Sequence, residues 1–373
     1  MKILQLIQKP QLRGAEIFAC QLSNHLLEEG HEVRMISLLS GEARMPFRNK
    51  IESLDLSLSK RFFDFAGWKK LAKVIEDFQP DIIQSNAGDT LKVAALSKLF
   101  YHWKAPIIFR NANLVSGFVN TWSKRMFNGF LVKQVSYVIS VSELCRLDFI
   151  KTYNVSPART RMVPIGIEPH KLDAELPADV RKYFEGHTVL VNVASLVPEK
   201  NHEALIRLAA NFAKQKLNVR ILILGDGKLR GILQQKIEDL DLRNYIVLLG
   251  YRNDVQSILQ HANGFVLPSN IEGLPAVILE AFYCKVPVVA TNVGGISEVV
   301  VNEQTGWLVE RGNDTELLNA TREVLADPAK RALVTENAYR LVTGNFANRA
   351  IAHRFGEAYK DALEKESITH SKS

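Results

Sequence analysis

The stretch that decides the fold is Leu267-Pro-Ser-Asn-Ile-Glu-Gly-Leu-Pro-Ala-Val-Ile-Leu-Glu-Ala-Phe282. An apolar strand ends at Ser269, a loop with a glycine follows, and Pro275 suits the first turn of a helix. The unpaired N–H groups at such a helix start attract phosphate-like anions. Glu272 lies just before the helix, and Glu280 lies in its apolar interior, where a carboxylate is costly unless it faces a polar cleft. One such glutamate is more simply a helix cap or a partner of a surface lysine. The two together indicate a binding site.

Outward from this stretch, short apolar runs alternate with helical segments along the whole chain. The predicted strands are Ile3–Ile7, Glu32–Leu38, Asp81–Gln84, Pro106–Phe109, Tyr137–Val141, Thr188–Ala194, Val219–Leu224, Tyr245–Leu249, Gly264–Leu267 and Val286–Ala290. Continuous apolar strands that alternate with helices are typical of parallel sheets covered on both faces. Because the pattern occurs twice, the sequence predicts an α/β protein with two doubly wound, Rossmann-like domains.

The boundary between the domains is predicted in Arg161–Lys171, which contains Pro164, Gly166 and Pro169. We therefore expect an N-terminal domain at 1–168 and a C-terminal domain at 169–345. From Asp314 onward the pattern is helical, and residues 346–373 are expected to form a helix that packs back on the N-terminal domain, with a frayed tail from Lys365. Since open α/β sheets bind ligands at the carboxyl ends of their strands, the two domains are expected to face each other across a cleft.

Length and composition exclude several classes of protein. The chain has 373 residues, of which 47% are hydrophobic and 23% charged, which excludes a disordered or coiled-coil chain. No run of 18 apolar residues occurs, so no membrane-spanning helix is predicted. The apolar start at Met1–Ile7 is too short for a signal peptide. Cys20, Cys145 and Cys284 have neither disulfide nor metal-ligand spacing, which favours a reducing cytoplasm.

The net charge of +7 is unevenly distributed. Residues 1–170 contain 23 Lys and Arg against 15 Asp and Glu, a net charge of +8, whereas residues 171–373 carry −1. The excess therefore lies entirely in the first half, where nucleic acid, a membrane surface or an acidic substrate could each account for it.

Three further predicted strands of the second half also end in polar or glycine-rich loops. They are Val193–Asn201, which contains Ser195 and Lys200, the turn Leu224–Gly227, and Ala290–Glu298 with its Gly294-Gly295 pair. Hydroxyl and ammonium groups suit phosphate oxygens, and glycines allow a close approach of the backbone to a ligand. Each loop alone is a weak signal, but four at successive strand ends predict one site.

These motifs resemble those of the family 4 (group 1) glycosyltransferases. The resemblance rests on Ser195…Lys200-Asn201, Gly225-Asp-Gly227, Gly250, Pro268-Ser269, Glu272-Gly-Leu-Pro…Glu280, Pro287–Gly295 and Gly306-Trp-Leu-Val309. Two glutamates separated by seven residues are the hallmark of that family. In the first half, Arg13-Gly-Ala-Glu16 and Gly30-His-Glu-Val33 are similar to its Gly-Gly-x-Glu loop and to the entry of its second strand.

The resemblance implies the GT-B fold and transfer of a sugar from a nucleotide-sugar donor with retention of configuration. By position, Glu280 would bind the ribose hydroxyls, Glu272 the sugar hydroxyls, and Lys200 with Ser195 the diphosphate. The expected donor-binding residues are Gly14, Ser195, Lys200, Gly225, Gly227, Tyr251, Arg252, Glu272, Gly273, Leu274 and Glu280. No cofactor and no metal are expected, because a fixed cation and a helix N-terminus would stabilise the charge on the diphosphate. Asp239-Leu-Asp241 resembles a metal-binding DxD motif but is interpreted as a solvated helix end. A front-face mechanism is favoured over double displacement, with Glu272 binding the sugar.

The sequence departs from the family pattern at several positions. It has Ser195 where many relatives carry arginine, and no histidine follows the strands near Gln84 and Phe109. Asn113 is the residue expected to assist catalysis from the first half, and the acceptor-side candidates are Arg110, Asn111 and Asn86. His202 and His261 are expected to be structural helix residues.

Two stretches of the first half, Arg44–Lys73 and Lys98–Lys133, mix basic and aromatic residues. The former includes Lys60, Arg61, Phe62 and Phe63, and the latter Phe118, Trp122 and Phe130. Such a composition suits an anionic membrane surface, but equally a solvated basic face with its aromatics in the core. Binding of nucleic acid is ranked below both, because no RNA-binding module is visible.

The sequence therefore predicts a cytoplasmic glycosyltransferase, peripheral at the inner face of the membrane, that acts on a glycan. The expected acceptor is a lipid-linked precursor of a cell-surface polysaccharide or lipopolysaccharide. The alternatives are a nucleotide-sugar epimerase or a sugar phosphorylase of the same fold, and a non-catalytic partner subunit. A dinucleotide dehydrogenase is disfavoured, because no Gly-x-Gly-x-x-Gly follows the first strand.

Overall fold

The computed structural model describes residues 1–57, 64–119, 121–168 and 171–370. The chain divides into two compact units, of which unit 1 comprises Met1–Glu168 with Ala347–Ser373 and unit 2 comprises Pro169–Phe346. Two sequence predictions fall partly outside the described residues. These are the basic residues Lys60 and Arg61 with Phe62 and Phe63, and the linker residue Pro169.

Unit 1 is built on a parallel sheet of seven strands in the order β3-β2-β1-β4-β5-β6-β7. Its strands are β1 (Lys2–Ile7), β2 (Glu32–Ser37), β3 (Ile51–Ser53), β4 (Ile82–Ser85), β5 (Ile107–Asn111), β6 (Val135–Ser140) and β7 (Thr160–Met162). The helices between them are α1 (Gly14–Glu28), α2 (Phe65–Phe78), α3 (Gly88–Tyr101), α4 (Trp122–Val132) and α5 (Glu143–Tyr153). The strand order reverses between β1 and β4, which is where an open sheet of this kind forms its ligand crevice.

Unit 2 has a parallel sheet of six strands in the order β10-β9-β8-β11-β12-β13. Its strands are β8 (Thr188–Val193), β9 (Val219–Leu224), β10 (Ile246–Gly250), β11 (Gly264–Leu267), β12 (Val288–Thr291) and β13 (Trp307–Val309). Its helices are α6 (Arg181–Phe184), α7 (His202–Lys214), α8 (Arg230–Asp239), α9 (Val255–Leu259), α10 (Ala276–Tyr283), α11 (Asp314–Ala326) and α12 (Pro328–Asn345). Here the order reverses between β8 and β11, so the loops after these two strands flank the expected ligand site.

The last helix, α13 (Asn348–His370), packs on unit 1. Its Phe355 ring lies 5.8 Å from that of Phe18, and the Tyr359 hydroxyl donates to Gln84 Oε1 at 2.6 Å. The helix continues through His370, within the stretch from Lys365 that the sequence predicts to be frayed.

Each sheet is covered by helices around its own apolar core. In unit 1 the core includes Trp68 and Phe149, and in unit 2 it includes Phe212 and Phe265. The prediction of two doubly wound parallel sheets, followed by a helical C-terminal region, is therefore confirmed. None of the three cysteines, Cys20, Cys145 and Cys284, forms a disulfide, and all three are buried. Among the described residues, no helix is both long and apolar enough to cross a lipid bilayer.

Candidate active site

The site of unit 2 is assembled from loops at the carboxyl ends of neighbouring strands. The loop after β8 contains Ser195 and a short 3-10 helix at Pro198–Lys200. Its Glu199 carbonyl accepts a hydrogen bond of 2.7 Å from the backbone N–H of Asn270, which lies in the loop after β11. This contact joins the two loops at the point where the strand order reverses.

Lys200 and Glu272 meet across these two loops. The Lys200 ammonium lies 2.5 Å from Glu272 Oε1, and the Ser269 hydroxyl donates to the same oxygen at 2.7 Å. The Glu272 side chain is 5% exposed and the Lys200 side chain 24% exposed. The cation therefore keeps one side towards solvent while the carboxylate is held in place by two donors.

The backbone of the Glu272 loop is fixed by the turn after β12. Gly294 has φ +56°, and a Cβ atom at this position would lie 2.0 Å from the Glu272 carbonyl oxygen. The Gly295 N–H donates to the Gly273 carbonyl at 2.6 Å, and the Thr291 hydroxyl donates to the Ser269 carbonyl at 2.6 Å. Gly294 and Gly295 therefore allow the turn after β12 to contact the loop after β11, which carries Glu272, directly.

Glu280 lies in the second turn of α10 and is partly buried. Burial raises the pKa of its carboxyl to about 7. Within the described part of the chain, no hydrogen bond or ion pair engages this carboxyl. The helix that carries it begins after Pro275, next to the buried residues Gly273 and Leu274. Its first N–H groups and its positive dipole end therefore lie close to the loop of Glu272.

The loops after β9 and β10 extend the same edge of the sheet. Gly225 has φ +142° and its N–H donates to the Gly250 carbonyl at 2.7 Å, while a Cβ on Gly227 would lie 2.6 Å from the Leu196 carbonyl. Close packing of these loops on the one after β8 therefore requires both glycines. Two of the expected donor-binding residues follow β10, and of these Tyr251 is 52% exposed. The other, Arg252, forms ion pairs with Asp179 and Asp254.

The predicted residues of unit 1 divide into exposed and buried ones. Gly14 is the first residue of α1, and a Cβ there would meet no atom within 4 Å. Asn113 is exposed in the loop after β5. By contrast, Arg110 and Asn111 are 2% and 1% exposed, and Asn86 is 4% exposed.

The three buried side chains, those of Asn86, Arg110 and Asn111, form their hydrogen bonds inside unit 1. Asn86 donates to Gln5 and to the Leu6 carbonyl, and Asn111 donates to Ser140 and to the Cys145 carbonyl. The Arg110 guanidinium lies over the Phe18 ring at 4.7 Å and donates to the Ala15 carbonyl at 3.3 Å. Burial lowers the pKa of Arg110 to about 10. Arg110 donates to Asn86 Oδ1 at 3.3 Å behind the start of α1, whereas Asn111 joins β5 to β6 and α5.

Ser269 and Thr291 belong to motifs that the sequence analysis quotes, but no role in the site was predicted for either. Each stands at a strand end, and that position was the available signal. The prediction that His261 lies in a helix is wrong, because α9 ends at Leu259 and His261 lies in the turn that follows. Its ring forms a hydrogen bond of 3.0 Å with the Ala174 carbonyl. His202 is in α7 and buried, as expected, and burial lowers its pKa to about 4.

No group of three His, Cys, Asp or Glu side chains that could hold a metal ion occurs in the described residues. The Asp239-Leu-Asp241 sequence lies at the exposed C-terminal end of α8, with Asp241 at φ 50°. Asp239-Leu-Asp241 therefore lies at a solvent-exposed helix end, as the sequence predicts.

Two family models match the chain and together span most of it. Residues 12–171 match the model described as "Glycosyltransferase Family 4", and residues 178–341 match "Glycosyl transferases group 1". The two matches correspond to most of unit 1 and most of unit 2.

Similar proteins occur in bacteria, archaea and yeast. An uncharacterized glycosyltransferase of Methanocaldococcus jannaschii is 28% identical over 60% of this chain and 58% of its own length. A UDP-Gal:alpha-D-GlcNAc-diphosphoundecaprenol alpha-1,3-galactosyltransferase of Escherichia coli is 30% identical over 54% of this chain and 53% of its own. The chain thus spans little more than half the length of these two relatives. An N-acetyl-alpha-D-glucosaminyl L-malate synthase of Bacillus anthracis is 26% identical over 96% of both chains.

Among solved structures, Anabaena HepE in complex with UDP and glucose superposes with a TM-score of 0.82. It covers 96% of this chain and 99% of its own at 22% identity, which supports a common GT-B fold. The two family models together show that the chain belongs to the group 1, family 4 glycosyltransferases.

Proposed function

We propose that this protein transfers a sugar from a nucleotide-sugar donor to a glycan acceptor with retention of the anomeric configuration. The observation that carries the proposal is the cluster of Lys200, Ser269 and Glu272 at the carboxyl ends of β8 and β11, next to the start of α10. An available cation, an oriented carboxylate and a helix N-terminus are the groups needed to hold a sugar diphosphate.

In the proposed reaction, negative charge develops on the diphosphate as the bond to the sugar breaks. A cation and a helix N-terminus near that charge stabilise the transition state more than the ground state, and so lower the barrier. Lys200 would exchange its contact with Glu272 for a phosphate oxygen, since its side chain keeps access to solvent. Ser195 supplies a hydroxyl from the same loop.

The two glutamates are proposed to bind hydroxyl groups. Glu272 is already oriented by two donors and presents its second oxygen to the sugar. Glu280, which lacks a partner in the described chain, would accept hydrogen bonds from the ribose hydroxyls. Because Glu272 acts here as a sugar-binding group, we favour a front-face mechanism over a covalent intermediate. We also propose that the reaction needs no divalent metal, since Lys200 and the α10 dipole supply the positive charge.

For the acceptor we propose a lipid-linked glycan at the cytoplasmic face of the membrane. The Escherichia coli relative is named for an acceptor linked to diphosphoundecaprenol, and the first half of this chain carries the excess positive charge. Asn113 is the exposed polar residue of unit 1 proposed to contact the acceptor.

A panel of nucleotide sugars, each tested by thermal shift and by transfer of radiolabelled sugar to a membrane extract, tests the proposal. A donor at a hundred times its Kd stabilises the protein by about 2.7 kcal/mol. Transfer should persist in the presence of a chelator. The absence of a shift with every donor would contradict the donor site. Isomerisation of the donor in the absence of acceptor would instead indicate the epimerase alternative.

A further inference from the structure

Helix α4 exposes large apolar side chains on one face. Trp122 is 77% exposed, Met126 57% and Phe130 48%, and their spacing of four residues places them on the same side of the helix. The C-terminal residues Leu131 and Val132 are buried in unit 1. The helix is therefore anchored at its C-terminal end while its apolar face lies in solvent.

Other aromatic residues of this region are at least partly packed, although Phe65, Phe100 and Phe118 remain 47%, 51% and 46% exposed. Phe65, Trp68 and Phe100 contact each other with ring centroids about 5 Å apart, and Trp68 is 1% exposed. Phe127, on α4 itself, packs against the core. Contiguous exposed apolar side chains of the kind found on α4 mark interaction surfaces.

The segment of the sequence that contains α4 carries only positive charges. Residues 90–142 contain seven Lys and Arg residues and no Asp or Glu. Lys124 and Arg125 lie on α4, and the exposed Lys133 directly follows it. Acidic groups nearby come from α5, where Asp148 accepts from the Ser116 N–H and Glu143 bonds Arg146. The surface thus combines an apolar stripe with positive charge that α5 offsets only in part.

We propose that the face of α4 formed by Trp122, Met126 and Phe130 inserts into an anionic lipid surface, with Lys124, Arg125 and Lys133 at the headgroups. An interfacial helix of this type buries its apolar face about 5–10 Å into the headgroup boundary. Tryptophan favours this depth because its ring is amphipathic. The proposal deepens the membrane part of the proposed function and rests on it, but it does not depend on the donor site.

The test uses the full chain with vesicles of phosphatidylcholine alone and of an equimolar mixture with phosphatidylglycerol. The protein should sediment with the mixed vesicles and remain free with the neutral ones. Trp122 also reports on the contact, since Trp68 and Trp307 are buried and Trp103 is partly buried, whereas Trp122 is 77% exposed. Its emission should shift to shorter wavelength on the mixed vesicles, and Trp122→Ser should remove that change.

Variants separate the surface from the rest of the protein. The double change Trp122→Ser and Phe130→Ser should weaken binding by at least about tenfold, and Lys133→Gln by about fivefold. The matched controls lie in unit 2. They are Ile232→Ser with Leu333→Ser, which are 56% and 63% exposed, and the exposed Lys214→Gln. These controls should bind as the unchanged protein does.

Three results would overturn the proposal. They are equal binding to both vesicle types or to neither, undiminished binding of the Trp122→Ser, Phe130→Ser variant, and an emission shift with single-stranded RNA in place of vesicles. Far-ultraviolet circular dichroism and the thermal shift with a nucleotide sugar check that each variant is folded. Because that shift reports on the donor site in unit 2, failure of vesicle binding and failure of the proposed transferase activity are distinguished.

Discussion

At the scale of single residues, Lys200 and Glu272 have two roles that can be separated. In the donor-free protein the Lys200 ammonium neutralises a carboxylate that is almost fully buried. In the proposed reaction the same ammonium stabilises the departing diphosphate. The first role affects folding stability and the second affects turnover, so a pair of substitutions can distinguish them.

We expect Lys200→Met to lower kcat by about a hundredfold or more and to destabilise the donor-free protein by roughly 1–3 kcal/mol. The loss of stability arises because Glu272 keeps only Ser269 as a donor. Adding Glu272→Gln should restore most of the stability without restoring turnover. Denaturant unfolding and transfer kinetics of the three variants provide the measurements. Recovery of activity in the double variant would show that Lys200 acts only through Glu272.

Glu280 predicts a pH dependence of both stability and binding. Its pKa rises from 4.5 to about 7 on folding, so the folded state holds a proton that the unfolded chain releases. The stabilisation is complete below the unfolded pKa and is lost as the pH rises to about 7. The difference amounts to roughly 3 kcal/mol at most. Glu280→Gln should therefore gain stability relative to the unchanged protein between about pH 5 and about pH 8.

The same carboxyl should control nucleotide affinity. Only the ionised form accepts hydrogen bonds with both oxygens, so affinity for the nucleotide should rise as the pH passes about 7. In Glu280→Gln the affinity should fall by about tenfold or more and lose this dependence. Titration calorimetry at several pH values measures it. An unchanged affinity in the variant would place the ribose elsewhere.

At the scale of the element, the turn after β12 determines where the Glu272 loop lies. Gly294→Ala places a methyl group 2.0 Å from the Glu272 carbonyl at a positive φ, and should cost at least about 2 kcal/mol with a clear loss of donor binding. Gly312→Ala is the matched control, since it has φ +80° with nothing within 4 Å of the added carbon. It should cost about 1 kcal/mol and leave donor binding unchanged. Equal effects of both would mean that only backbone strain matters.

The elements also show what the sequence can predict. The bounds of β9 and β11 agree with the prediction to the residue, because continuous apolar runs end there at turn residues. The strands β3, β7 and β13 were not predicted. Each has only three residues, which are too few to show a periodicity in the sequence. Each also lies at the edge of its sheet, where fewer of its side chains have to be apolar.

For the candidate site, the sequence placed Lys200 and Glu272 in neighbouring loops, and the structure brings them into contact. It could not tell that Arg110 and Asn111 are buried, since these residue types are mostly exposed and their burial depends on tertiary partners such as Phe18 and Cys145. The same limit applies to Ser269, whose hydrogen bond to Glu272 joins residues three apart in a loop without regular periodicity.

At the scale of the whole molecule, the two units are not two consecutive halves of the chain. Unit 2 is one continuous segment, whereas unit 1 is completed by α13 from the far end of the chain. Ile351, Phe355 and Tyr359 of this helix are fully buried in unit 1. At about 1.5–3 kcal/mol for each side chain, their burial is comparable with the entire stability of a domain. Folding of unit 1 should therefore require both ends of the chain.

This leads to a prediction about three fragments. Residues 171–346 alone should fold and retain nucleotide binding, because their sheet and core are complete. Residues 1–168 alone should fail to unfold cooperatively. Joining 168 directly to 347 should restore cooperative folding, because Ile167 pairs with Ala347 and the Asn348 N–H donates to the Ile167 carbonyl at 3.0 Å. Thermal unfolding followed by circular dichroism measures each fragment. If residues 1–168 alone melted as sharply as the joined form, α13 would be dispensable, and the burial of its three side chains would have to be offset by repacking of α1 and the sheet.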